Sequence, residues 1–190
     1  MKRLILSVLI TVLVPAWGWS QQAKYRNSFR TGVGYGSYMN EDVEGRGMVL
    51  TFGYLRTLKN ERVRVNPYIS SGGYGSKKLN DLRDQWFSST NLGCNLWYDA
   101  IDETAFAFTL GSGLLLNHMN GLLGDSKSSD EEEVKSEYVG ATQVGGYLGA
   151  GVRIKNYDGR FNIELVPLNF HFGKMGYLDL YSSACVNIVF

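Results

Sequence analysis

Few residues in this chain have the type and spacing that chemistry needs. There are two histidines, His118 and His171. Either could serve as a base only with a nucleophile or carboxylate in hydrogen-bond reach. Gly32, Gly34 and Gly36 alternate inside an extended segment with no helix after them, so they are not a phosphate-binding turn. Between Asp125 and Glu137 the chain places Asp125, Asp130, Glu131, Glu132, Glu133 and Glu137 against Lys127 and Lys135. Calcium loops space their carboxylates around a turn glycine. Three adjacent glutamates do not, so the run reads as a solvated loop. Cys94 and Cys185 fall on opposite parities of their segments, which argues against a disulfide between them. No catalytic, cofactor or metal set is expected.

One charged pair does have a derivable position. Asp158-Gly159 is a strong two-residue hairpin signal. A turn there sets Ile154 opposite Ile163, Val152 opposite Leu165 and, on the other face, Arg153 opposite Glu164. A slip of one residue would move the charges to the apolar face. Arg153 and Glu164 are therefore expected to pair on the polar face, joined by Arg30 and Asn95.

The elements that hold these residues are read from period-two alternation. Over Gly176 to Phe190, Leu178, Leu180, Ser182, Ala184, Val186, Ile188 and Phe190 share one parity. Asp179, Tyr181, Ser183, Cys185 and Asn187 share the other. Seven more such segments precede it, at Ser28 to Tyr38, Met48 to Thr57, Val63 to Tyr74, Trp86 to Asp99, Thr104 to Leu116, Tyr138 to Lys155 and Arg160 to Phe172. The third is the least regular, and Pro67 predicts a break in its ladder. The fold class expected is all-β: an eight-stranded antiparallel up-and-down transmembrane β-barrel.

Composition agrees. Of 190 residues, 23 are Gly and 3 are Pro, and the formal charge is only +1, with no basic excess to suggest nucleic acid. Residues 1–20 read as a signal peptide: Lys2 and Arg3, an apolar run from Leu4 to Val14, then Pro15 and small residues, with cleavage after Gly18 or Ser20. Residues 21–190 remain as one domain with no long apolar run. Without a helical span, a membrane protein must close a barrel to satisfy its backbone.

Eight strands put both termini on one side, the periplasm in outer-membrane barrels. Connections on that side are short, at Leu58 to Arg62, Ala100 to Glu103 and Asn156 to Gly159. The others are long except at Lys174-Met175. At the terminal side the outward parity gives Phe29, Tyr54, Tyr98, Phe106, Phe161 and Phe190, which predicts a periplasmic aromatic girdle. Tyr35, Trp86 and Tyr138 are candidates for the other rim. Inward glycines would make room for Trp97, Tyr147 and Tyr181, filling a lumen only wide enough for side chains.

The segments "RTGVGYGSYMN", "NPYISSGGYG" and the terminal "VNIVF" resemble the small outer-membrane β-barrel proteins of the OmpX-like or OmpA-barrel-like group, as in Bacteroidota. That resemblance implies a bacterial outer-membrane location, contact with outer-membrane lipid, insertion by the barrel-assembly machinery through the last strand, and a monomer. It implies no activity, since members are structural, adhesive or of unknown role. The expected function is non-enzymatic, carried by the extracellular loops in envelope integrity, adhesion or partner contact. Barrel-type lipid A deacylases offer an alternative centred on His171, which parity places outward. Their serine nucleophile two residues later would fall on Gly173 here. A secreted lipocalin-like barrel is the other alternative. It would turn the apolar parity inward and leave Arg30, Arg153 and Glu164 outside.

Overall fold

The computed structural model describes residues 27–40, 44–59, 61–76, 86–124, 136–156, 160–174 and 176–190. The expected signal peptide, the Asp158-Gly159 turn and most of the acidic run lie outside them. Eight strands form the fold: β1 (Asn27–Met39), β2 (Glu44–Thr57), β3 (Val63–Ser76), β4 (Trp86–Asp102), β5 (Phe106–Gly124), β6 (Ser136–Lys155), β7 (Phe161–Gly173) and β8 (Leu178–Val189). Each pairs antiparallel with the next, and β1 pairs with β8, so the sheet closes. Closure leaves no unpaired edge, which lipid would not tolerate.

Strand parity decides what faces where. Phe29, Val33, Leu50, Phe52, Ile69, Leu92, Leu114, Val144, Leu165 and Ile188 are exposed on the outer wall. Arg30, Arg64, Asn91, Asn95, Asp99, Glu164 and Asp179 are buried inside. This polarity is the reverse of a soluble barrel, and it overturns the lipocalin-like reading. An apolar outer wall has a favourable solvent only in a bilayer. The shortest strand has 12 residues, enough to cross one at barrel tilt, where about 9–11 suffice. Among the described residues no helix is long and apolar enough to cross a membrane.

The register expected for β6 and β7 is the one observed next to the turn, with Val152↔Leu165, Arg153↔Glu164 and Ile154↔Ile163, and it is one residue off from Ala150↔Leu168 onward. The break expected at Pro67 is also present. The β2–β3 ladder runs to Gly53↔Tyr68 and resumes at Arg56↔Val65, leaving out Pro67 and Asn66. Several strands run further than alternation indicated. The β5–β6 ladder continues from Asn117↔Gln143 to Gly124↔Ser136. At the start of that stretch Asn117 is buried and His118 and Thr142 are exposed, so polar residues occupy both faces and the sequence pattern fades.

Beyond Val166, β7 departs from simple alternation. Its register against β8 shifts between Val166 and Asn169, and β6 shifts against it between Ala150 and Val152. One extra residue on β7 makes a bulge. Pro167 and Leu168 both face outward, and Ser182 Oγ donates a hydrogen bond to Pro167 O at 2.8 Å across the irregularity. Everything after the bulge changes face, so His171 points into the lumen and is fully buried. The outward placement expected for His171 is thus corrected. Parity was counted through a residue that the ladder does not pair.

Leu114 lies near mid-height on the outer wall and is 72 % exposed. Leu114→Arg should lower the stability of the folded barrel in lipid by about 2–4 kcal/mol, the range for a cation at the bilayer midplane. Urea unfolding in vesicles measures it. A soluble barrel would tolerate this surface change without loss.

Candidate functional site

The lumen is filled in layers, and the lowest layer, nearest the termini, is ionic. Glu164 on β7 is fully buried at its centre. Arg30 Nη1 on β1 donates to Glu164 Oε2 at 2.9 Å, and Arg64 Nη2 on β3 donates to Oε1 at 3.3 Å. Thr109 Oγ1 and Asn187 Nδ2 also donate to it, at 3.3 and 3.2 Å. Arg64 Nη2 reaches Asp99 Oδ1 on β4 at 3.1 Å, and Arg153 on β6 meets the other oxygen of the same carboxylate. Lys155 pairs with Asp102 at the mouth. Each ion of the layer thus has a counter-ion, and Glu164 has two further donors, as a buried charge requires.

The pairing differs from the expected one. Arg153 and Glu164 are opposite in register, yet Arg153 bonds Asp99 across the β5 strand, while Glu164 takes Arg30 and Arg64. A long guanidinium in a narrow barrel reaches strands that are not its ladder neighbours. Arg30 joins the cluster as expected, with its guanidinium carbon 5.1 Å from the Trp97 ring centroid. Asn95 is buried higher up, beside a small void it shares with Arg30 and Trp97, and no hydrogen bond ties it to the carboxylates. Arg64 and Asp99 were not singled out from sequence. Both lie on inward parities, and a charge there signals a partner inside.

Above the ions lies an aromatic and amide layer. Trp97, Tyr147, Tyr68, His171 and Tyr181 pack with ring centroids 5.2–6.2 Å apart. Gly111 and Gly149 leave the space that Trp97 fills, since a Cβ on either would come within about 3.0 Å of the indole. His171 Nδ1 is 3.5 Å from Asp179 Oδ2 and 3.3 Å from Asn91 Nδ2. Tyr74 Oη donates to Asp179 Oδ1 at 3.0 Å, and Tyr177 Oη donates to Asn91 Oδ1 at 3.0 Å. The far end is capped by Tyr38, Tyr74, Phe87 and Tyr177, with centroids 5.1–5.4 Å apart. Burial and the nearby Asp179 carboxylate push the Tyr177 phenol well above its ordinary pKa, so it remains a neutral donor.

His171 is therefore walled in by rings and amides, with Gly173 where a nucleophile would be needed. His118 faces outward, exposed, with Nδ1 2.8 Å from Thr142 Oγ1. Cys94 is exposed on the outer wall and Cys185 is buried in the lumen beside Arg30; both are free thiols. Among the described residues no three His, Cys, Asp or Glu side chains converge as a metal site.

The six girdle residues face outward at the terminal end. Phe29, Tyr98, Phe106, Phe161 and Phe190 are exposed, and Tyr54 is half-buried. Phe190 packs against Phe29 and Tyr54 at 5.1 and 6.5 Å between centroids, and Tyr54 Oη donates to Asn27 Oδ1 at 2.7 Å. Tyr35, Trp86 and Tyr138 are exposed toward the other end.

Replacing Glu164 leaves two guanidiniums buried without their shared anion. Glu164→Gln should destabilise the barrel by about 3–5 kcal/mol, as breaking a buried pair does. In double-mutant cycles read by urea unfolding, Arg153 should couple strongly to Asp99 and weakly to Glu164.

No protein-family model matches the chain, and no curated protein matches it. Solved structures do. Neisserial surface protein A is similar with a TM-score of 0.64 at 12% identity, over 86% of this chain and 97% of that one. Ail, the attachment invasion locus protein of Yersinia pestis, solved with the heparin analogue sucrose octasulfate, gives 0.53 at 14% over 88% and 100%. A major outer membrane protein from Thermus thermophilus gives 0.52 at 13% over 86% and 99%. Identity this low carries the fold and nothing finer. The chain has the fold of the small bacterial outer-membrane barrels, and its apolar belt and internal charges suit that membrane.

Proposed function

We propose that this protein is a non-enzymatic outer-membrane barrel whose role is carried by the connections on the side away from its termini. The observation that supports it is the filled lumen. Between the ionic and aromatic layers the void measures about 10 Å³, room for one water at most. Among the described residues a void of that size passes no solute, and His171 is fully buried beside it. What remains for contact is the rim. The long connections carry an acidic excess, concentrated in Asp125 to Glu137. Ail was solved with a polyanionic ligand. An acidic rim suits the opposite contact, a cationic surface or partner. In this reading the barrel is a monomer in outer-membrane lipid, inserted by the assembly machinery through β8.

Purified protein in planar bilayers should give no stepwise conductance, and lipid A from a deletion strain should have an unchanged mass profile. Opening steps or an altered acyl pattern would overturn the reading. Replacing residues 125–135 with a short Gly-Ser linker should leave a folded, heat-modifiable barrel and weaken binding of cells to polylysine-coated beads. Equal binding by the linker variant would remove the acidic rim from the proposal.

Phe190 closes the aromatic contact with Phe29 and Tyr54. Deleting it should reduce the amount of folded protein recovered in outer membranes, with a smaller effect on refolding into vesicles in vitro. Equal losses in both would mean that Phe190 acts through stability and not through recognition.

A further inference from the structure

The lumen ion pairs join into one alternating chain. It runs from Arg30 to Glu164, Arg64, Asp99, Arg153, Asp102 and Lys155. The last links are Arg153 Nη2 to Asp102 Oδ1 at 3.9 Å and Asp102 to Lys155. The chain begins and ends on a cation, so four positive groups face three carboxylates. Asp179, also a buried carboxylate, does not correct the imbalance. It has His171 beside it and lies six residues along β8 from Cys185, roughly 20 Å at the strand rise. Glu103, in the neighbouring turn, meets Lys155 through its backbone carbonyl at 2.7 Å.

The cationic end opens into a cavity. At the terminal mouth of the barrel a space of about 550 Å³ is bounded by Arg64, Arg153 and Lys155, with Asn27, Asn162 and Asn187 among the residues around them. That is the size of an ordinary small-molecule site. Three polar atoms of its lining residues are closed off from the space and have no partner. Arg64 is 2 % exposed, yet its Nε–H has no partner; the Arg153 Nε–H and Asn187 Oδ1 also have none. Arg153 and Lys155 are the two cations partly open to the space, at 12 % and 25 % side-chain exposure. A guanidinium fork and an ammonium in a low-dielectric mouth favour an oxyanion.

We infer that this mouth binds one oxyanion group, a carboxylate or phosphate on a small polar molecule, on Arg153 and Lys155. The anion extends the alternation by one member and neutralises the surplus cation. The asparagines offer carboxamides to hydroxyl or amide groups beside the anion. The site lies at the end opposite the acidic connections and does not depend on what they contact. Loss of bead binding by the linker variant and loss of anion binding here are separate results.

The test is a ¹⁵N NMR titration of the full barrel in nanodiscs at constant ionic strength. The probes are inorganic phosphate, acetate and acetyl-alanyl-alanine, with chloride as background, and the signals are the Arg Nε–H and Lys155 resonances. Saturable shifts at Arg153 and Lys155 are expected. Lys155→Met should weaken them about tenfold, the factor that one lost charge-assisted hydrogen bond of about 1.4 kcal/mol gives. Asp102→Asn removes the carboxylate that competes for Lys155, so it should tighten binding. That gain cannot come from a misfolded barrel. Tighter binding of phosphate than of the dipeptide identifies free phosphate as the ligand source, and the reverse identifies a peptide carboxylate. Shifts that stay linear and equal to those of chloride, or a midpoint unmoved by Asp102→Asn, would overturn the site.

Discussion

The carboxylate of Glu164, fully buried between two guanidiniums, is the interaction on which the interior depends. It draws Arg30 from β1 and Arg64 from β3 to one point, and Thr109 and Asn187 complete its shell from β5 and β8. Five strands of the barrel therefore converge on a single anion. A bilayer gives little hydrophobic drive to press the wall inward, because its outer face is already in a favourable solvent. Lumen contacts of this kind, with the ladder itself, must supply the specificity that a hydrophobic core supplies in water.

The two interior layers divide that task. The ionic layer pairs its charges and leaves one cation in excess toward the terminal mouth. The aromatic layer satisfies volume. Trp97 connects them, in contact with both Arg30 and Tyr147. The glycines at 111 and 149 make this possible by giving up their own side chains to a neighbour's ring. Where the sequence alternates Gly with large apolar residues, it is describing one wall whose inner surface is deliberately vacated.

The wall was readable from sequence because alternation acts locally and every strand repeats it. Strand count, facing, closure and even the β6–β7 register next to the turn followed from nearest-neighbour rules. The lumen was less readable because its contacts are made across the barrel. Arg153 faces Glu164 in the ladder, but its side chain is longer than the ladder spacing, so the partner is Asp99. No pairwise register contains that information. His171 was misplaced for a different reason. Pro167 in "LVPLNFHFG" is a sign of an irregular ladder, as Pro67 is, but it does not say that Pro167 and Leu168 face the same way.

That bulge has a consequence for how such strands change over time. A single inserted residue in a barrel strand works like a frame shift: every residue downstream exchanges lipid for lumen. β7 survives it because the residues beyond the insertion suit the second frame, with Asn169 and His171 buried and Phe172 exposed. The two halves of the strand are thus written in opposite phases. Removing one residue at the join would place an asparagine and a histidine in hydrocarbon and drive phenylalanines into a full interior. The join and the strand beyond it can change only together.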